Sequence, residues 1–248
     1  MTGTAHVTDI TAELTRQLLA AAQKYMPADI KAAVSADLAD GLKFTHFVPH
    51  PTIDAAEVTG HQYLDFNINV AATPTQFEVG SADYAPRPYD PSRIDRKPVL
   101  GSVDEWKLQS LFVSHPFHIH VNPFQVVAIY DPAGKDVSAP GAVDDYALDA
   151  NGKPIKGTPD PQYPGLKGVW KDTLWVKNVN DPNGPNPADP IGMYTIVFRT
   201  RYERYIGEFV LHCHILDHED QGMMQNVEIV PPGYNPPAAD AMPGMTHN

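Results

Sequence analysis

The sequence contains a single cysteine, Cys213, among its 248 residues. One thiol excludes an intramolecular disulfide, so this cysteine needs another explanation. Cationic residues are also few, with 18 Lys and Arg against 30 Asp and Glu, and no basic run occurs. Because nucleic-acid affinity depends on neutralising phosphates with Lys and Arg, a nucleic-acid partner is excluded.

Long hydrophobic runs are absent as well. Nowhere do about 18 apolar residues follow one another, which argues against a membrane-spanning helix. The first residues lack a basic start followed by an apolar run, so no signal peptide is predicted in this chain. A hydrophobic content of 42% nevertheless supports a real core.

The distribution of proline, glycine and β-forming residues predicts an all-β fold. The 25 prolines and 17 glycines separate short segments rich in Val, Ile and aromatic residues. Polar and apolar residues alternate over 61–70, which is typical of a strand with one buried face. Further strands are predicted at 76–80, 98–113, 117–130, 169–179, 191–200, 206–214 and 225–230. Seven or eight strands favour a sandwich.

The same sequence pattern divides the chain into three parts. Residues 1–60 are predicted to form a helical extension and linker, with two short helices at about 9–25 and 28–39. Residues 61–231 form the β domain, and residues 232–248 a flexible tail. The stretch 131–168 is rich in Pro, Gly and Asp and is predicted to be a surface excursion outside the core.

Two clusters of metal-ligand residues dominate the sequence. The first is His115-Pro-Phe-His118-Ile-His120. The second runs from His212-Cys213-His214 to His218, Glu219 and Met223. Six of the eleven histidines lie in these two segments. A lone His-x-His is more often a surface pair and a lone cysteine a small apolar residue, but the joint occurrence indicates a metal site.

Strand periodicity sorts these ligands between two sites. Side chains two residues apart share a face, so His118 projects with His120 and His212 projects with His214. Cys213 must then point the opposite way, toward a second site that His115 and His218 can reach. Two histidines, one cysteine and an axial methionine form the pattern of a blue copper site. Structural zinc sites usually carry more cysteines, so copper is favoured.

The clusters and their surroundings resemble the C-terminal cupredoxin domain of multicopper oxidases such as laccases. The resemblance covers roughly residues 60–231 and rests on PYDPSRIDRKPVLGSVDEWKL (88–108), HPFHIHVNPFQVV (115–127), WKDTLWV (170–176) and HCHILDHEDQGMM (212–224). It implies a cupredoxin-like Greek-key β-sandwich that follows the short helical N-terminal extension. It also implies export to the periplasm or secretion.

The resemblance further implies a role for each ligand. Type 1 copper would be held by His115, Cys213 and His218, with Met223 rather than Met224 as the axial ligand. His118 would bind type 2 copper, and the type 3 pair would be bound by His120, His212 and His214. Single electrons from a small reducing substrate, a phenol or a metal ion, would pass through Cys213 to a cluster that reduces O2 to water. Glu219 matches an acidic position that can deliver protons, although it also fits a solvated surface carboxylate.

The chain departs from the family in one respect. A full trinuclear cluster needs eight histidines, and no second His-x-His lies outside the two clusters. Three explanations stay open: the chain is the C-terminal part of a longer oxidase, another polypeptide carries the missing half, or identical chains pair as a homo-oligomer. The alternative function is a non-catalytic blue-copper electron carrier or copper-binding protein. A copper nitrite reductase is disfavoured, because its type 2 site uses only three histidines.

Overall fold

The computed structural model describes residues 9–41, 50–149, 154–179 and 192–234. The chain divides into two compact units, residues 1–50 and 51–248. The first unit contains helices α1 (Ile10–Tyr25) and α2 (Ala28–Ala39), which agree with the predicted ranges to within one residue. The carboxylate of Asp9 accepts a hydrogen bond from the backbone N–H of Ala12 and caps α1.

The second unit consists mostly of strands. A 3₁₀ turn (Ala55–Glu57) precedes them, and the short helix α3 (Leu216–Asp220) lies between the last two. The described strands are β1 (Gly60–Asn69), β2 (Gln76–Gly80), β3 (Ile94–Arg96), β4 (Val103–Ser110), β5 (His115–Ile119), β6 (Phe124–Tyr130), β7 (Asp144–Leu148), β8 (Pro154–Asp160), β9 (Trp170–Lys171), β10 (Thr173–Val176), β11 (Thr195–Arg201), β12 (Gly207–Cys213) and β13 (Met224–Ile229).

Two sheets and a separate hairpin make up the β unit. The first sheet has the order β2-β1-β4-β11-β6-β9, and the second has the order β10-β5-β12-β13-β3. Strands β7 and β8 pair only with each other. Most pairs are antiparallel, whereas β1 with β4 and β3 with β13 are parallel and therefore need crossover connections. The prediction of an all-β fold with a short helical extension is confirmed.

Apolar side chains from the two sheets form one core. Strand alternation buries Trp106 and Leu108 on β4, and the ring of Trp106 stacks on Phe198 with centroids 5.6 Å apart. Phe198 also contacts Phe117 of the second sheet, again at 5.6 Å. Cys213 is fully buried in this same core. The sandwich interior therefore holds the thiol rigidly and away from solvent.

The expectation for residues 131–168 is partly wrong. Val137 and Tyr163 are fully buried in the core, and the segment contains the β7–β8 hairpin. A buried lysine, Lys177, bonds the hairpin to the sandwich: its Nζ donates to Asp144 at 2.6 Å and to Asp160 at 2.7 Å. The aspartates that made this stretch look solvent-exposed are thus ion-pair partners. Sequence polarity could not reveal a partner 33 residues away from Asp144.

The residues just before β1 are bonded to the sandwich by an ion pair and a hydrogen bond. Arg201 contacts Glu57 at 2.8 Å and donates a hydrogen bond to the carbonyl of Pro51 at 2.7 Å. The second unit accordingly begins at Pro51, and the domain division at residue 60 stays a prediction. The predicted flexible tail lies outside the described residues from position 235 onward. No helix in the described part of the chain has the length and hydropathy of a membrane span.

Candidate metal centre

Strand β12 carries two groups of metal-ligand side chains, one on each face. Its pairing with β5 places His212 opposite His118 and Cys213 opposite Phe117. Side chains that lie directly opposite in a ladder share a face. His212 and His118 therefore lie together on the outer face of the second sheet, while Cys213 and Phe117 point into the core.

The inner group consists of Cys213, His115 and His218. The thiol sulfur lies 3.5 Å from Nδ1 of His115 and 3.7 Å from Nδ1 of His218. The two Nδ1 atoms are 3.2 Å apart. For bonds of about 2.0 Å to nitrogen and about 2.3 Å to sulfur, a trigonal ion would separate its ligand atoms by roughly 3.5–3.7 Å. The three atoms thus fit around one metal ion with a shift of only a few tenths of an ångström.

Backbone contacts orient His115 for this role. The residue begins β5 and is fully buried. Its Nε2 lies 3.0 Å from the carbonyl of Phe112, which can only accept, so Nε2 carries the proton. The lone pair is left on Nδ1, the atom that faces the thiol. His218 lies on α3 with its ring 4.8 Å from the ring of Phe77, and it is only partly buried.

Met223 joins the inner group through the backbone. The residue is fully buried. Its carbonyl accepts a hydrogen bond from the N–H of Cys213 at 3.0 Å, and its own N–H donates a hydrogen bond to the carbonyl of His218 at 2.9 Å. Met224 instead lies opposite His212 in the β12–β13 ladder, on the outer face. The register therefore favours Met223 over Met224 as the fourth ligand. One thiolate, two imidazoles and a thioether form a donor set that suits copper.

Gly222 determines the backbone path into Met223. Its φ is +118°, and a Cβ there would lie 3.2 Å from the carbonyl oxygen of Phe77 and 3.3 Å from the nitrogen of Tyr89. We expect Gly222→Ala to lower the free energy of unfolding by at least about 1–2 kcal/mol, since it combines a left-handed backbone with crowding. Copper affinity should fall as well, because Met223 would shift.

Urea unfolding and copper titration measure both effects. The matched control is Gly134→Ala, since Gly134 also has a positive φ of +82° but a Cβ at this position would meet no other atom within 4 Å. The control should show the backbone penalty with unchanged copper affinity. Equal results for the two variants would contradict the close approach at Gly222.

The outer group consists of four histidines. Nε2 of His120 lies 3.2 Å from Nε2 of His212, and the ring of His118 is 4.9 Å from that of His120. The ring of His214 lies 5.4 Å from that of His118. Ligand atoms of His118, His120 and His212 all fall within 4.8 Å of one another. The outer group therefore offers four imidazoles, one more nitrogen ligand than the inner group has nitrogen and thiol ligands together.

Hydrogen bonds also orient the outer histidines. Nδ1 of His118 lies 2.9 Å from the carbonyl of Asp172 and 2.8 Å from Oγ1 of Thr173. Nδ1 of His212 lies 3.0 Å from the carbonyl of Cys213 and 3.1 Å from the carboxylate of Glu219. Because a carbonyl can only accept, both Nδ1 atoms carry protons and both Nε2 atoms keep their lone pairs. The inner group thus presents Nδ1 atoms, and these outer residues present Nε2.

Burial favours the neutral form of three of the imidazoles and the protonated form of the thiol. It lowers the pKa of His115 to about 3, with a further contribution from the nearby His218. Burial is also the main cause of the lowered pKa of His120 and of His218. The pKa of Cys213 is raised to about 11, again mainly by burial. The nitrogens are therefore free to bind a cation at neutral pH, and the thiol exchanges its proton for the metal.

The structure brings together the histidines and the cysteine that the sequence pointed to, and it places Met223 in the same buried core as Cys213. Glu219, for which two roles were open, contacts His212 through its carboxylate. The sequence did not predict the two carbonyls that orient the histidine rings, those of Phe112 and Asp172. Every residue has a main-chain carbonyl, so residue type does not show which one contacts a histidine. The segment WKDT (170–173) also supplies Thr173, whose hydroxyl contacts His118.

An all-β sandwich with this donor set on β5, β12 and the loop to β13 is a cupredoxin-type domain. The chain belongs to the multicopper oxidase family, whose model, described as Multicopper oxidase, matches residues 64–233. The cupredoxin-like part of the fold prediction is thereby confirmed, and the family implies copper as the cofactor.

Individual relatives are matched over only part of their length. A laccase of Bacillus stratosphericus is 28% identical over 138 residues, which are 55% of this chain and 22% of the relative. A laccase of Haloferax volcanii is 29% identical over 128 residues, 51% of this chain and 15% of the relative. Among solved structures, the multicopper oxidase from Campylobacter jejuni is 21% identical with a TM-score of 0.44, covering 76% of this chain and 32% of the other. This chain thus spans less than a quarter of these curated relatives.

Proposed function

We propose that this chain is the type 1 copper component of an oxidase that takes single electrons from a small reducing substrate and passes them to O2. The inner group would hold type 1 copper, with Met223 as its axial ligand. The outer histidines would hold half of a type 2 and type 3 cluster, with His118 on type 2 copper. Copper bound in this way supplies one-electron oxidation at the first site and reduction of O2 to water at the second.

One observation carries this proposal: Cys213 and His212 are adjacent in the chain but face opposite sides of β12. Their pairing with Phe117 and His118 supports the two orientations. A single peptide link therefore separates the two groups of ligands. An electron received at the thiolate has a short covalent path to the imidazoles of His212 and His214, without crossing solvent.

The surroundings of His218 suit the entry of electrons, and those of Glu219 suit the delivery of protons. His218 is the only partly buried member of the inner trio, whereas His115 and Cys213 are fully buried. A reducing substrate, for which we favour a phenol or a metal ion, would therefore approach at His218. The carboxylate of Glu219 lies 3.1 Å from Nδ1 of His212 and can pass protons toward the outer group. Because the outer group offers four imidazoles, another domain or chain would complete the cluster.

Oxygen uptake by the copper-loaded chain tests the proposal. With a phenolic or ferrous reductant in excess, we expect steady uptake of O2 that requires both the thiolate site and the outer histidines. The variant His120→Phe should keep the blue colour of the thiolate site and lose uptake. Since His120 is in the outer group only, uptake by this variant at the unchanged rate would contradict the proposed cluster.

The alternative is an electron carrier that reduces no oxygen. Such a protein needs only the inner group, and the four outer histidines with two oriented Nε2 atoms argue against it. The same oxygen-uptake assay distinguishes the two functions. If a fully copper-loaded blue sample takes up no O2, either alone or in its complete assembly, the result would support the electron-carrier function and contradict the oxidase.

A further inference from the structure

The segment PYDPSRID (88–95) contains none of the residues of the two ligand groups, although it is part of the stretches that carry the family resemblance. In the structure it lies next to the loop that leads into Met223. The backbone N–H of Tyr89 donates a hydrogen bond to the carbonyl of Gly222 at 2.9 Å. The importance of this contact rests on the proposed function, in which Met223 is the axial ligand.

Asn226 bonds this segment to β13. The residue is almost fully buried, and its Nδ2 lies 3.0 Å from the carbonyl of Arg93 and 3.3 Å from that of Pro91. Because carbonyls can only accept, the nitrogen of the amide and not its oxygen must face them. The amide oxygen accepts a hydrogen bond from the hydroxyl of Tyr89 at 3.1 Å. One side chain thus holds three residues of the segment.

A buried carboxylate stabilises the same segment. The side chain of Asp95 is fully buried, and it accepts hydrogen bonds from Nε of Arg93 at 2.7 Å and from Nη2 of Arg87 at 3.2 Å. The backbone of Arg87 in turn pairs with Val79 of β2, with N–O distances of 3.0 and 3.2 Å. The segment is therefore held between a strand of one sheet, β2, and a strand of the other, β13.

Gly222 lies between this segment and β2. A Cβ at Gly222 would be 3.3 Å from the nitrogen of Tyr89 and 3.2 Å from the carbonyl oxygen of Phe77, so a residue without a side chain is needed there. Met223 follows directly, and its N–H donates to the carbonyl of His218 at 2.9 Å. A shift of the segment would therefore reach Met223 through a single residue.

We propose that Asn226 and Tyr89 are positioning residues for the axial ligand. They fix the segment 88–95 against Gly222 and thereby set how closely the thioether of Met223 approaches the inner group. In blue copper sites the bond to the axial methionine is long and weak, and it tunes the redox potential. Because a weak bond does not hold its own ligand in place, the backbone around Met223 must do so. Asn226 thus influences the inner site through the backbone and not as a ligand.

Visible absorption and electron paramagnetic resonance spectra of the copper-loaded chain test this role. Asn226→Asp keeps the size of the side chain but places a carboxylate oxygen against the carbonyls of Pro91 and Arg93, which repels the segment. We expect altered relative intensities of the thiolate absorption bands and an affinity of the inner group for copper that is about tenfold lower, as on loss of a supporting residue. Tyr89→Phe removes only the hydroxyl and should change the spectrum less. It is the second variant if Asn226→Asp does not fold.

Tyr63→Phe is the matched control. It removes a tyrosine hydroxyl that donates to Gln109 at 3.0 Å between β1 and β4, in the other sheet, and it should leave the spectrum unchanged. A second comparison shows whether the effect passes through the thioether. In a Met223→Leu background there is no thioether to misplace. Asn226→Asp should then no longer change the spectrum, although it should still lower the free energy of unfolding.

Two results would overturn the inference alone. The first is a blue wild type whose spectrum is the same after Asn226→Asp and Tyr89→Phe. The second is a spectral change of equal size with and without the thioether of Met223. A wild type that binds copper without blue absorption would instead contradict the proposed function, and the inference with it. The spectra do not require oxygen uptake, so a blue protein that reduces no O2 still decides the role of Asn226.

Discussion

Replacing Cys213 with serine is expected to abolish the blue absorption of the copper-loaded protein and its oxygen uptake. The thiol lies within 3.5 Å and 3.7 Å of its two histidine partners, and a serine hydroxyl is a poor ligand for Cu(I). Loss of a group that merely supports a metal ligand costs roughly 10–100-fold in affinity, so loss of the ligand itself should cost at least about a hundredfold. Copper titration and oxygen uptake measure the two losses.

The outer histidines should be unaffected in this variant, because Cys213 points away from them. Copper retained by His118, His120 and His212 would therefore still be detected by electron paramagnetic resonance, without the thiolate signal. His61→Ala is the control, since His61 is exposed on β1 and belongs to neither ligand group. A Cys213→Ser protein that stays blue and keeps its rate would refute the assignment of the thiolate.

Replacing Lys177 with methionine is expected to lower the free energy of unfolding by about 3–5 kcal/mol, the usual cost of breaking a buried ion pair. The ammonium is fully buried and contacts the carboxylates of Asp144 and Asp160 and the carbonyl of Tyr146. Its removal leaves two carboxylates, one of them fully buried, without their cation. The β7–β8 hairpin should then separate from the sandwich, and urea unfolding measures the loss.

Lys167→Met provides the matched comparison. Lys167 forms an ion pair of similar length, 2.9 Å, with Asp136, but its side chain is 49% exposed. Solvent screens such a pair, so its loss should cost less than about 1 kcal/mol. Equal destabilisation by the two variants would show that burial of Lys177 has no energetic consequence. Copper content should change in neither, because neither lysine contacts a ligand residue among those described.

The sequence predicted the fold class and the grouping of the candidate ligand residues on two faces, because both depend on local patterns. Alternation over two residues separates Cys213 from His212 and His214, whatever the rest of the chain does. The register His212 to His118 then brings the two outer pairs together as that alternation required. The helices at 9–25 and 28–39 were also predictable from local sequence, since Asp9 caps the first and Pro27 precedes the second.

Other features depend on contacts between distant segments and were not predictable. Val137 and Tyr163 are buried in the core and Lys177 pairs with Asp144, whereas composition alone indicated a surface excursion. The single strand predicted at 117–130 is divided into β5 and β6 by the turn after His120. The carbonyls that orient His115 and His118 belong to Phe112 and Asp172, and any residue type could present them.

The sequence by itself therefore determined which residues form the two candidate ligand groups and on which side of a strand each lies, because side-chain alternation is a property of the local backbone. Only the tertiary structure decided which ring nitrogen of His115, His118 and His212 is left free, and which backbone carbonyls orient these rings. Those features arise where β5, β12, α3 and β13 meet, and packing between segments about a hundred residues apart creates them.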